Sequence, residues 1–138
     1  MTILARNLKN DVLSQYTGLN QKLLFLYIKV IEMADVMDRI DEQVKGNKVM
    51  IYMKGTPSFP QCGFSSRAVE ALKSCQQEFA YCNVLADPEI FQNLPRYADW
   101  PTFPQVYVDG ELIGGCDITL EMFENGDLKK MIDEAHAA

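Results

Sequence analysis

Apolar residues recur along the chain with two different periods, which together outline a protein of mixed helix and strand. From Asp35 to Lys45, Val36, Met37, Ile40 and Val44 fall at spacings of one, three and four, predicting one face of a helix that ends at Gly46. Lys48 to Met53 then runs almost continuously apolar, as a central strand buried on both faces does. Gly55, Pro57 and Pro60 make the next stretch a loop. Phe64, Ala68, Val69, Ala71 and Leu72 predict a helix from about Cys62 to Ser74, and Phe79 to Val84 a second short strand. Strand, helix, strand in that order implies a parallel pair joined by a right-handed crossover.

Further on, Asp87-Pro88-Glu89 opens a helix with Asp87 as cap and Pro88 in the first position, expected to stop near Leu94 before Pro95. Two strand-like runs, Pro104 to Val108 and Glu111 to Ile113, flank Asp109-Gly110, the signature of a tight hairpin. Thr119 to Phe123 and Asp127 to Ile132 supply the last helical pieces, broken at Asn125-Gly126. The order α-β-α-β-α-β-β-α is satisfied by an α/β fold with a mixed four-stranded sheet flanked by helices.

Residues 1–32 look different. They lack the Gly/Pro punctuation of a compact unit, and four basic against two acidic residues leave them at +2, so the rest of the chain carries −8 of the net −6. A fresh methionine, Met33, begins the part that reads as a folded domain, 33–138. The first 32 residues are therefore treated as an N-terminal extension outside the fold. A translated upstream stretch, a targeting presequence and an extra helix all remain open readings, the targeting one weakened by few serines and by Asp11.

Charge and cysteine content narrow the function classes. With 138 residues, 48% of them hydrophobic, the chain has enough to build one core. A net charge of −6 and a pI near 4.7 repel nucleic acid and anionic membrane. The apolar run Leu23 to Ile31 is interrupted by Lys29 and falls short of the roughly 18 residues of a membrane span. Four cysteines, Cys62, Cys75, Cys82 and Cys116, are too few for a secreted disulfide scaffold, and their spacing fits no zinc finger. A reducing compartment is the expectation: the cytoplasm in a bacterium, an organelle in a eukaryote.

The chemistry concentrates at Cys62. A cysteine reacts as thiolate, and a helix start lowers its pKa through unpaired N–H groups and the positive end of the helix dipole. Lys54, across the same loop, adds positive charge. In a dithiol oxidoreductase the second cysteine of Cys-x-x-Cys attacks the mixed disulfide, but here Ser65 stands in that place. A hydroxyl cannot resolve a disulfide, so either an external thiol completes the cycle or the thiolate serves as a metal ligand. Cys75 and Cys82 read as packed residues, His136 as part of a disordered alanine tail, and the methionines as core.

Lys54, Cys62-Gly63-Phe64-Ser65, Trp100-Pro-Thr-Phe-Pro104 and Gly114-Gly-Cys-Asp117 together closely resemble the monothiol glutaredoxins of the CGFS class, over roughly Val36 to Ile132. The resemblance implies a thioredoxin-like fold, bound glutathione and a 2Fe-2S cluster bridging a homodimer. It places Lys54 at the glycine carboxylate, Cys62 at the glutathione thiol and as the metal ligand, Phe103 before an expected cis Pro104, and Cys116 and Asp117 at the γ-glutamyl end. Phe64, Thr102 and Gly115 complete the implied set. Where the family usually carries a basic residue near the start of the third helix, this chain has Phe91, and Arg96 is the expected substitute.

Two thiolates from two protomers and two from glutathione would make the four a 2Fe-2S cluster wants. The function implied is receipt and transfer of such a cluster, with a BolA-family protein and apo iron-sulfur proteins as partners. Glutathione-dependent thiol-disulfide exchange through Cys62 is the rival from another class. Cys116 is also expected close enough to form a disulfide with Cys62 under oxidation, as a minor path.

Overall fold

The computed structural model describes residues 21–138. The apolar stripe of the first helix extends well ahead of its expected start, so α1 spans Gln21–Gly46 without a break at Met33. No glycine or proline interrupts Gln21 to Lys45, so nothing in the backbone ends the helix earlier. Burial begins only at Val36 and continues at Ile40 and Val44, while Leu23, Leu26 and Val30 are exposed. Residues 21–32 of the extension are thus helical, and residues 1–20 lie outside the described residues.

After α1 come β1 (Val49–Met53), α2 (Gly63–Ser74), β2 (Ala80–Asn83), a 3-10 turn (Val84–Ala86), α3 (Pro88–Tyr97), β3 (Gln105–Val108), β4 (Glu111–Gly114), α4 (Cys116–Glu124) and α5 (Asp127–Ala137). The sheet order is β2-β1-β3-β4, with β1 parallel to β2 and antiparallel to β3. Asp109 and Gly110 both take positive φ, +51° and +83°, in the tight turn between β3 and β4.

The continuous apolar run of β1 follows from its central place. Val49, Ile51 and Met53 face a core with Val69 and Leu72 of α2 and Leu128 and Ile132 of α5. Met50 and Tyr52 face a second core with Ile40 and Val44 of α1 and Ile90 and Leu94 of α3. Side chains alternate across a strand, so every residue of β1 is buried. Each aliphatic side chain so buried contributes about 1.5–3 kcal/mol.

Two expectations are corrected. Pro95 does not stop α3, which continues to Tyr97. The proline forfeits a single backbone hydrogen bond, whereas burial of Ile90 and Leu94 and the Tyr97 hydroxyl, 2.7 Å from Asp41 Oδ1, hold the last turn. His136 is ordered within α5, its Nε2 2.9 Å from the Glu78 carbonyl. A contact from 58 residues away in the chain is invisible to local composition.

Candidate functional site

The site is assembled from three loops at one end of the sheet. β1 delivers Lys54 to a turn in which the Gly55 N–H donates to Asn83 Oδ1 (2.9 Å) and the Gln61 N–H to the Lys54 carbonyl (2.9 Å). Gly55 has φ +94°, and a Cβ there would lie 2.5 Å from the Phe59 carbonyl oxygen, so only glycine lets the chain close this tightly. Thr56 and Phe59 exchange backbone hydrogen bonds across the same turn. The result is a short, fixed approach that presents Cys62 in extended conformation as the N-cap of α2.

At that position the Cys62 thiol is half-buried and reaches solvent. It makes no regular capping hydrogen bond, yet its pKa is held below the ordinary thiol value. The backbone N–H of Ser65 does most, helped by the N–H of Phe64, the charge of Lys54 and the Ser65 hydroxyl, against an opposing effect of burial. Ser65 is fully buried, and its Oγ accepts from the Lys54 backbone N–H at 3.1 Å. The serine therefore ties the Lys54 turn to the start of α2.

The second wall is the segment 98–104. Trp100, Pro101, Thr102, Phe103 and Pro104 line a cavity of about 800 Å³ that also takes in Lys54, Cys62 and Phe64. The Phe103–Pro104 peptide bond is cis, as expected. Gly115 caps α4 and packs against this wall: a Cβ there would meet the Pro104 carbonyl oxygen at 3.2 Å and Trp100 Nε1 at 3.4 Å. Cys116 and Asp117, in the first turn of α4, complete the lining together with Ile118. Cys116 is buried, which raises its thiol pKa.

Of the ten residues singled out in the sequence, nine line this one cavity. Arg96 does not: its Nη1 lies 3.3 Å from Met33 Sδ, on the side of α3 facing α1. Helical spacing explains this, because a residue five positions after Phe91 sits well around the helix from it. Phe91 does line the cavity, its ring 5.3 Å from that of Phe103. Lys54 is thus the one basic and Asp117 the one acidic side chain among the lining residues. Pro95 and Ile118 also line the cavity.

These features recur in known proteins. A family profile described as Glutaredoxin matches residues 49–113. Over 97 residues the chain is 58% identical to Glutaredoxin 4 of Buchnera aphidicola from Acyrthosiphon pisum, covering 70% of this chain and 90% of that one. The chain belongs to the glutaredoxin family. Glutaredoxin 4 of Escherichia coli is 50% identical over 105 residues, 76% of this chain and 91% of that one. Among solved structures, reduced poplar apo GrxS14 shares 44% identity with a TM-score of 0.65, covering 75% and 94% of the two chains. A buckwheat glutaredoxin–glutathione complex, 22% identical with a TM-score of 0.68 over 77% and 94%, has the same fold. Cys62-Gly-Phe-Ser65, with serine where a dithiol glutaredoxin has its second cysteine, marks the monothiol class. No helix among the described residues is long and apolar enough to cross a membrane.

Proposed function

We propose that this monothiol glutaredoxin binds glutathione in the cavity and carries a 2Fe-2S cluster as cargo, shared with a second copy of the chain. The observation that supports the reading is Cys62, half-buried and the one cysteine among the described residues whose pKa is lowered. Among the described residues no group of three or more His, Cys, Asp or Glu side chains could hold a metal ion. Cys62 offers one sulfur with a lowered pKa, Cys116 is buried with its pKa raised, and Ser65 is locked into the fold. A glutathione thiol beside Cys62, together with the same pair from a second protomer, would make up the four thiolates of a cluster.

In this reading Lys54 neutralises the glycine carboxylate, the backbone of Phe103 pairs with the peptide, and Asp117 accepts from the γ-glutamyl ammonium. With no second charge at Phe91 and Arg96 turned away, the carboxylate rests on Lys54. Acceptor apo iron-sulfur proteins and a BolA-family protein are the partners this function calls for, and the negative net charge suits protein partners rather than nucleic acid.

Anaerobic reconstitution with iron, a sulfide source and glutathione tests the proposal. A dimeric species with thiolate-to-iron absorption is expected from the parent chain and none from Cys62→Ser; a full cluster on Cys62→Ser defeats it. The lowered pKa of Cys62 also favours a second reading, glutathione-dependent disulfide exchange. Cys62 would attack a protein–glutathione disulfide, release the protein thiol and keep the glutathione, which a second glutathione then removes as glutathione disulfide. Robust turnover in a glutathione-coupled assay without cluster formation would select that reading instead.

A further inference from the structure

Behind the 100–104 wall lies a buried amide that neither the resemblance nor the relatives assign. Gln105, the first residue of β3, has no exposed surface. Its Nε2 donates to the Trp100 carbonyl at 2.9 Å and to the Thr102 carbonyl at 3.3 Å, and its Oε1 accepts from the Tyr107 hydroxyl at 2.8 Å. Two carbonyls can only accept, so the NH₂ end must face the wall and the oxygen must face Tyr107. Tyr107 is itself buried, its ring edge-on to Tyr52 at 5.7 Å, and so anchors the amide from the core.

The wall needs such an anchor. Segment 98–104 belongs to no helix or strand, and buried backbone carbonyls left without a donor are costly. One side chain gathers two part-buried carbonyls of this segment, two residues apart. Pro101 and Thr102 are left exposed at the cavity.

We propose that Gln105 is a positioning residue: it sets the shape of the 100–104 wall and thereby the affinity for the tripeptide, without touching the ligand. The proposal rests on glutathione being that ligand. Misplacing a binding wall by about 1 Å can cost up to 10²-fold in a positioned interaction, so Gln105→Leu is expected to weaken glutathione binding by about ten-fold.

Trp100 is the only tryptophan in the chain, so its emission and acrylamide quenching report on the wall directly, with or without glutathione. The Cys62 thiol, held by N–H groups of α2, reports on the other wall through its absorbance titration. The proposal expects more Trp100 quenching, about ten-fold weaker glutathione binding by calorimetry, and an unchanged Cys62 titration. Affinity within two-fold of the parent, unchanged quenching, or a Cys62 titration that moves in step with affinity each overturns it. Should Gln105→Leu not fold, Tyr107→Phe removes only the hydroxyl that orients the amide and is expected to weaken binding about three-fold with the same pattern; parent-like affinity overturns the proposal. If the parent chain itself binds no glutathione, the function reading fails, while quenching of the ligand-free variants still decides whether Gln105 shapes the wall.

Discussion

Two cysteines sit at the starts of two helices and line the same cavity, yet they are opposite kinds of thiol. Cys62, the N-cap of α2, is half-buried and its pKa is lowered, first by the Ser65 N–H. Cys116, the first residue of α4, is 6% exposed and its pKa is raised, first by burial. A helix start by itself therefore does not make a reactive thiolate. What decides is whether the sulfur keeps water on one side while the N–H groups reach it, and Cys116 is buried where Cys62 is only half-buried.

The strongest way to break the comparison is to exchange the sulfurs. Cys62→Ser is expected to abolish the fast phase of iodoacetamide alkylation at pH 7, and Cys116→Ser to leave it intact; a fast phase surviving in Cys62→Ser would mean the roles are reversed. Next in size, Lys54→Met is expected to weaken glutathione binding by about ten-fold or more, since a charge-assisted hydrogen bond is worth about 1.5–3 kcal/mol. Calorimetry at two salt concentrations checks it, the parent being the more salt-sensitive of the two.

Ser65→Ala sharpens the comparison from the protein side. It leaves the Lys54 N–H without its acceptor, and urea unfolding should register a loss of about 1–3 kcal/mol. It also removes one of the lesser groups lowering the Cys62 pKa, so the alkylation profile should move to higher pH while staying below that of a free thiol. An unchanged profile would show that the backbone N–H groups suffice alone.

The smallest effect is on stability at alkaline pH. Burial pushes the Cys82 thiol up to about 11. Its proton is held more tightly in the folded chain, so stability is full below the ordinary thiol value of about 8.5 and is lost as pH rises from there through about 11. Cys62 has the reverse sign: its contribution is present above the ordinary value and is lost as pH falls through its lowered one. Melting temperatures of Cys82→Ala should accordingly fall less than those of the parent between pH 8.5 and 11.

Much of the fold was legible because its signals are local. β1 announced itself by an unbroken apolar run, the hairpin by Asp109-Gly110, and α3 by Asp87-Pro88, whose cap is seen in the Ile90 N–H donating to Asp87 Oδ1 at 3.2 Å. The misreadings came where a distant partner overrides the local signal, as Asp41 does for the helix turn beyond Pro95 and Glu78 for His136. In the site, motif residues were legible as types, but Arg96 was drawn toward a cavity it does not reach, and Gln105 looked like any polar residue opening a strand.

By itself the sequence settled that a lone cysteine opens a helix after a Gly/Pro loop, with serine where a second thiol would stand. Those facts are covalent and local. The tertiary structure alone decided that Ser65 is buried and bonded to the Lys54 turn, that Cys116 shares the cavity yet stays a thiol, and that a buried glutamine holds the facing wall. Each of these depends on which segments, far apart in the chain, exclude water from one another, and burial sets both hydrogen-bond demand and thiol pKa.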